Sequence, residues 1–190
     1  MNTLEAILSR RSIRKFHPDP VSADAVNRLL EAARWAPTPA NLQFRRFVIV
    51  QSRDIVGELA HATRDQHFVA QAPLVIAACA NCAAATAAVG AVGTSLAIQE
   101  AAASIQNILL AAGELGLSGC WVGLIDAEKV ARILELPAEL TPIALVALGR
   151  AAEEPPTPSR LEIEQITWAP TRKHHGVPAA PLIAYEKRSG

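Results

Sequence analysis

Apolar positions along the chain recur with two periods, and the switches between them set out a succession of helices and strands. Leu4, Ile7 and Leu8 are spaced for one face of a short N-terminal helix. Beyond Pro18-Asp19-Pro20, Ser22 is placed to cap a helix whose stripe is Val26, Leu29, Leu30 and Ala33 and which ends near Pro37. Phe47-Val48-Ile49-Val50 reads as a buried strand, residues 54 to about 62 as a helix, and Pro73-Leu74-Val75-Ile76-Ala77-Ala78 as a second core strand after a proline start. Between Gln66 and Gln99 no residue carries a formal charge if His67 is neutral, and the reading there is a buried strand, a loop, then a helix.

That helix runs from about Ser95 to Ala112 and is apolar on nearly every side, through Leu96, Ile98, Ala101, Ala102, Ile105, Ile108 and Leu109. Such a helix is either central to the core or half of a subunit interface. A stretch punctuated by glycine follows, Gly116-Leu117-Ser118-Gly119-Cys120-Trp121-Val122-Gly123, then a helix opened by Asp126 and the strand Ile143-Ala144-Leu145-Val146-Ala147-Leu148. The fold class is α+β, a mixed sheet flanked by helices. From Glu153 onward, prolines at 155, 156, 158, 170, 178 and 181 disfavour long regular elements, and a tail of that kind lies across another surface or a second subunit. No internal repeat or interdomain linker stands out.

Composition narrows the classes. The 190 residues are 51% hydrophobic with zero formal charge, enough for a full core and without a global field that would draw nucleic acid or an anionic membrane. The uncharged run is long enough to raise a membrane span, but alanine dominates it and Pro73, Asn81, Gly90 and Gly93 interrupt it. Glu5 and Arg10 break up any signal-like start, so the expected compartment is the cytoplasm.

Candidate chemistry is local. Ser9-Arg10-Arg11-Ser12-Ile13-Arg14-Lys15-Phe16 sets four cations and two hydroxyls in eight residues, a donor set that suits a phosphate dianion and equally suits a solvated face closing a helix. Ala36-Pro37-Thr38-Pro39-Ala40-Asn41-Leu42-Gln43-Phe44 reads as an extended loop. In it Asn41 and Gln43, two apart, point the same way and could pair with the edge of a uracil-like ring, or stand as ordinary solvated amides. Cys79 and Cys82 form a C-x-x-C, either a dithiol pair, half of a zinc site or two buried thiols; no second cysteine pair or H-x-x-x-H completes a metal site. His174-His175 is a weaker metal hint. No phosphate loop, dinucleotide fingerprint or nucleophile elbow is present, since Gly90 and Gly93 lack the required spacing.

Taken together and in order, Arg10-Arg11-Ser12-Ile13-Arg14, the segment 36–43, Ala72-Pro73, Ile105-Gln106-Asn107 running into Gly116 to Gly123, Ala147-Leu148-Gly149 and Pro158-Ser159-Arg160 resemble the flavin-dependent nitroreductase family over about residues 3–168. The resemblance implies a single FMN-binding domain over 1–168 and an intertwined homodimer, with an extension at 169–190 crossing to the partner. It implies two FMN sites at the subunit interface. Arg10, Ser12 and Arg160 would hold phosphate and ribityl chain, Arg14 the pyrimidine edge, and Arg11 lies in the motif. Thr38, Asn41 and Gln43 would line the ring from the partner subunit, and Cys120, Val122 and Gly123 would approach it through backbone groups. NADH or NADPH would supply hydride for a nitroaromatic, quinone or similar conjugated acceptor by ping-pong kinetics, with no metal, no nucleic acid, no membrane and no side chain acting as nucleophile.

The pattern is not followed throughout. Pro158 stands where many members carry a cation, Phe44 replaces a frequent proline, and residues 82–92 are short and rich in alanine where relatives carry a larger roof. Two alternatives therefore remain: the same fold using reduced flavin for flavin cleavage with oxygen, enone reduction or dehalogenation, and a non-catalytic binder of phosphorylated ligands or nucleic acid through Arg10 to Lys15.

Overall fold

In the computed structural model, residues 2–167 are described. The chain divides into a unit spanning 1–155 and a second spanning 156–190. The expected extension at 169–190, with His174 and His175, lies outside the described residues.

In the first unit, helices α1 (Thr3–Ser9) and α2 (Ala23–Arg34) precede strand β1 (Arg45–Val50) and helix α3 (Arg53–Ala60). Strand β2 (Leu74–Ala80) leads into helices α4 (Cys82–Val89) and α5 (Gly93–Glu114), and β3 (Ser118–Val122), α6 (Ala127–Ile133) and β4 (Thr141–Gly149) complete it. The second unit contains one short helix, α7 (Ile163–Ile166), among its described residues. Ser22 caps α2 as expected, its hydroxyl accepting from the Ala25 amide at 3.2 Å.

The sheet order is β1-β2-β4-β3, and every neighbouring pair is antiparallel. Among the described residues the parallel component of the expected mixed sheet is the isolated bridge between Ser12 and Gly119. All seven residues of β2 are buried, which explains its unbroken apolar run: a strand covered on both faces has no solvent side to alternate with. On one face Val75, Ala77, Leu145, Ala147 and Val122 pack with Val56, Leu59, Val69, Ile13 and Phe16. On the other, Leu74, Ile76, Val146 and Leu148 pack against Leu29 of α2 and Ile105 and Ile108 of α5. Each such large side chain contributes about 1.5–3 kcal/mol of burial.

The structure differs from the pattern in two places. The loop expected after β2 is the helix α4, because the Asn81 side chain accepts from the Ala84 amide at 2.8 Å and the alanines behind it are the strongest helix formers. The glycine-punctuated stretch holds the edge strand β3 around Gly119, with Gly116 (φ 68°) in the turn before it and Gly123 just beyond its end. At Gly119 a Cβ would lie 2.8 Å from Leu148 Cδ2 and 2.9 Å from the Ala147 carbonyl oxygen, so close packing within the core requires glycine there. The long apolar run is interrupted as expected: residues 82–114 are long and apolar enough to cross a membrane, but they form two helices broken at Gly90 (φ 75°), and the inner face of α5 lies in the core.

A candidate anion and ring site split between two sheet edges

The basic stretch runs along the outer edge of β3. Ile13 donates its amide to the Gly119 carbonyl at 3.2 Å, and Ser12 forms the parallel bridge to the same residue. On its other side the chain is tied to the segment after β4: His17 N–H donates to the Arg150 carbonyl at 2.9 Å, and Ala152 N–H to the Lys15 carbonyl at 2.9 Å. The Glu153 carboxylate accepts from the amides of Arg14 at 2.5 Å and Lys15 at 3.1 Å. Ile13 and Phe16 are buried between these contacts, which leaves Arg14 and Lys15 exposed.

The side chains separate in role. Arg11 turns back onto α1, donating to the Leu8 carbonyl at 2.7 Å and the Arg10 carbonyl at 3.0 Å, a cation at a helix C-terminus. Arg14 stands over the Phe68 ring, 5.8 Å from its centroid. Burial pushes the Cys120 thiol up, while Arg14, a hydrogen bond with Ser12, and Arg10 pull the other way. Arg10, Ser12, Arg14 and Cys120 therefore share one neighbourhood. Val122 faces the core, and Gly123 sits beside the Trp121 indole, where a Cβ would be 3.5 Å from Nε1. In the second unit, Arg160 donates to the Ser159 carbonyl at 3.0 Å.

The loop carrying Thr38, Asn41 and Gln43 is not extended. Residues Pro39–Asn41 make a 3₁₀ turn, and Ala40 (φ 44°), Asn41 (φ 59°) and Gln43 (φ 56°) all take left-handed backbone. The common direction expected of two residues two apart holds only for an extended chain, so that argument does not apply to Asn41 and Gln43 here. Thr38 Oγ1 accepts from the Gln43 amide at 2.9 Å, and Gln43 Nε2 donates to the Asn41 carbonyl at 3.1 Å. Left-handed backbone at a residue with a Cβ costs roughly 1–2 kcal/mol, and three in four residues persist only where the surroundings enforce them. A hollow of about 340 Å³ lies between Thr38, its flanking prolines and Leu96, Gln99 and Ala103 of α5.

This loop enters β1, whereas the basic stretch lines β3, so the two halves of the expected site flank opposite edges of the sheet. Three strand spacings separate those edges, roughly 14 Å at about 4.8 Å each. One copy of the first unit brings Arg10, Ser12, Arg14 and Cys120 together and leaves Thr38, Asn41 and Gln43 apart from them.

Four residues at these sites escaped the sequence pattern. Phe68, under Arg14, sits in a 3₁₀ turn over His67–Gln71 whose neighbourhood is joined to the end of β3 by Gln66 Nε2 donating to the Leu124 carbonyl at 3.3 Å. Glu153 holds the Arg14 backbone from 139 positions away in sequence. Arg45 and Glu100 form a buried ion pair at 2.6 Å beneath the 36–44 loop. Only the pair had a legible signal, since Glu100 and Glu114 are the sole charged residues of helix α5.

The chain is similar to known proteins along nearly its whole length. The signature of the nitroreductase family matches residues 7–66 and 56–150. A putative NADH dehydrogenase/NAD(P)H nitroreductase of Methanothermobacter thermautotrophicus is 29% identical over 174 residues, covering 87% of this chain and 88% of that protein. The oxygen-insensitive NADPH nitroreductase of Salmonella typhimurium is 31% identical over 172 residues, 86% of this chain and 72% of its own. Among solved structures, the NADPH:FMN oxidoreductase of Vibrio harveyi in complex with NAD⁺ superposes with a TM-score of 0.81 at 26% identity, covering 93% of this chain and 80% of that one. With the two-faced antiparallel sheet and the basic stretch on its β3 edge, these matches place the chain in the nitroreductase family.

Proposed function

We infer that this chain is an NAD(P)H-dependent FMN oxidoreductase that works as a homodimer and reduces a nitroaromatic, quinone or similar conjugated acceptor. The observation that carries this reading is the separation of the two half-sites on opposite sheet edges, which a second copy of the chain can close by setting its 38–43 loop against the first copy's Arg10–Arg14 edge. Exposed apolar side chains support a partner surface: Leu4 and Leu8 of α1, Ile98 of α5 and Trp35 are 63%, 66%, 41% and 75% exposed. The names of the similar proteins, NAD(P)H nitroreductase and NADPH:FMN oxidoreductase, agree with it.

The donor set fits FMN. Arg10 and Ser12, with Arg160, suit a phosphate and ribityl chain, because guanidinium forks and a short hydroxyl match anionic oxygens. Arg14 is exposed beside them and suits a ring edge that gains negative charge on reduction. Thr38, Asn41 and Gln43 offer amide and hydroxyl groups to the same ring from the second copy, and Cys120, Val122 and Gly123 offer backbone. When bound, FMN supplies hydride acceptance from NADH or NADPH and delivery to the acceptor. The protein's own part is to hold the phosphate, set a cation at the ring edge and exclude the first ligand before the second enters. Residues 1–168 form the FMN-binding domain in this reading, and the compartment is the cytoplasm.

The test is optical and kinetic. Purified protein should be yellow or become so with added FMN, bleach with NADH or NADPH under anaerobic conditions, and give parallel double-reciprocal lines. A colourless protein that takes up no FMN overturns the reading.

A further inference from the structure

The buried pair Arg45–Glu100 lies outside every motif that carried the family resemblance, and its contacts converge on one loop. Glu100 is 2% exposed and Arg45 7%. One Glu100 oxygen accepts from the Arg45 guanidinium at 2.6 Å and from the Arg45 amide at 3.2 Å; the other accepts from the Phe44 amide at 3.2 Å. The second arm of the Arg45 fork donates to the Arg34 carbonyl at 2.5 Å. Arg34 is the last residue of α2, and Phe44 and Arg45 lead into β1. One ion pair thus grips the chain where it leaves a helix and again where it enters a strand, and everything between is the loop with three left-handed residues.

Each part of the geometry calls for these residue types. A carboxylate has the lone pairs to take two amides and a guanidinium at once. Arginine's planar fork reaches a carboxylate and a carbonyl together, which lysine's single ammonium does not. The Arg34 carbonyl is one of the unpaired acceptors at a helix C-terminus, where a cation is favoured. Burial excludes water as a substitute for the three bonds to Glu100. Within the loop, the bonds among Thr38, Asn41 and Gln43 are local turns; Arg46 of β1 donates to the Gln43 carbonyl at 2.9 Å, but that tie is exposed, whereas the bonds to Glu100 are buried.

We propose that Arg45 and Glu100 are positioning residues that hold Thr38, Asn41 and Gln43 in the strained geometry in which they meet the flavin ring of the partner copy. The proposal rests on the functional reading above. It makes α5 more than a core helix: its buried carboxylate sets the polar wall of the ring site without touching the ring.

The experiment compares wild type, Glu100→Gln and Arg45→Lys by amide hydrogen exchange without flavin and by visible spectroscopy after FMN is added. For Glu100→Gln, exchange at the amides of residues 41–45 should rise about tenfold or more while the amides of β2 and β4 keep wild-type rates. Arg45→Lys, which keeps the charge and loses the bond to Arg34, should loosen the loop less. The flavin bands of FMN-loaded Glu100→Gln should shift from wild type while FMN is still retained through the Arg10 edge. Unchanged exchange in the loop overturns the proposal, as does a rise spread equally over β2 and β4, which marks general support of the core. A loosened loop with wild-type flavin bands overturns the link to the ring. Wild type that takes up no FMN overturns the functional reading instead, and the exchange data then still decide whether the pair holds the loop.

Discussion

Removing the Arg45–Glu100 pair one partner at a time and then together separates its two energetic roles. Arg45→Met leaves the Glu100 carboxylate buried without its cation, which costs about 3–5 kcal/mol when a buried pair is broken from one side. If the pair were only two charges in the core, Arg45→Met with Glu100→Leu would return to wild-type stability or exceed it, as apolar replacements of buried pairs often do. The structure predicts otherwise, because Glu100 is also the acceptor for two buried amides, at residues 44 and 45. Each amide left without a partner costs about 1–3 kcal/mol. The double variant should therefore stay about 2 kcal/mol or more below wild type, a fall in Tm of roughly 4–8 °C for a chain of this size. Thermal and urea unfolding at one fixed protein concentration measures this, since coupling to assembly would otherwise move the midpoint. A double variant matching wild type, beside a single variant that is much weaker, would refute the reasoning and reduce the pair to a replaceable salt bridge.

Arg10→Ala and Arg160→Ala should each weaken FMN retention by about 1.5–3 kcal/mol, roughly 10-fold to 150-fold in Kd, since the proposed function gives each a charge-assisted phosphate contact; equilibrium dialysis against FMN reads it. Gly119→Ala should lower stability by about 1–3 kcal/mol, because the added Cβ meets the backbone oxygen of Ala147 at 2.9 Å and that oxygen cannot swing aside as the leucine ends can; a Tm equal to wild type would contradict it. Glu153→Ala should weaken FMN retention less than Arg10→Ala does, since it frees only the amides that Glu153 holds at Arg14 and Lys15 and leaves the cations in place; dialysis of the two variants side by side decides it. Burial raises the Cys79 thiol from 9.0 to about 11. The folded chain then binds more protons than the unfolded chain between those values, so stability should decline as pH rises across that window, and Cys79→Ala should flatten its share of the slope; urea midpoints taken from pH 8 to 11 check it.

What the order of residues determined by itself is what depends on neighbours in sequence. The stripe Val26, Leu29 and Ala33 needs only a 3.6-residue repeat to define the buried face of α2, and Ser22 needs only its position to cap it. The run Leu74–Ala80 is a strand buried on both faces because no polar residue alternates in it. The basic stretch 10–15 and the amides of 41 and 43 were legible as chemistry for the same local reason. Tertiary structure decided what those groups can do. Residues 40, 41 and 43 take left-handed backbone in a loop whose ends are held by a carboxylate 56 positions beyond Phe44, at Glu100, and by the bond from Arg45 to the Arg34 carbonyl upstream, and no spacing rule within the loop encodes that. Arg14 gains Glu153 and Phe68 only through the closing of β4 beside β3 and the packing of the 63–71 segment on the end of β3. Above all, the two half-sites stand on opposite edges because strand order, which depends on which strands find each other in space, puts β1 and β3 furthest apart.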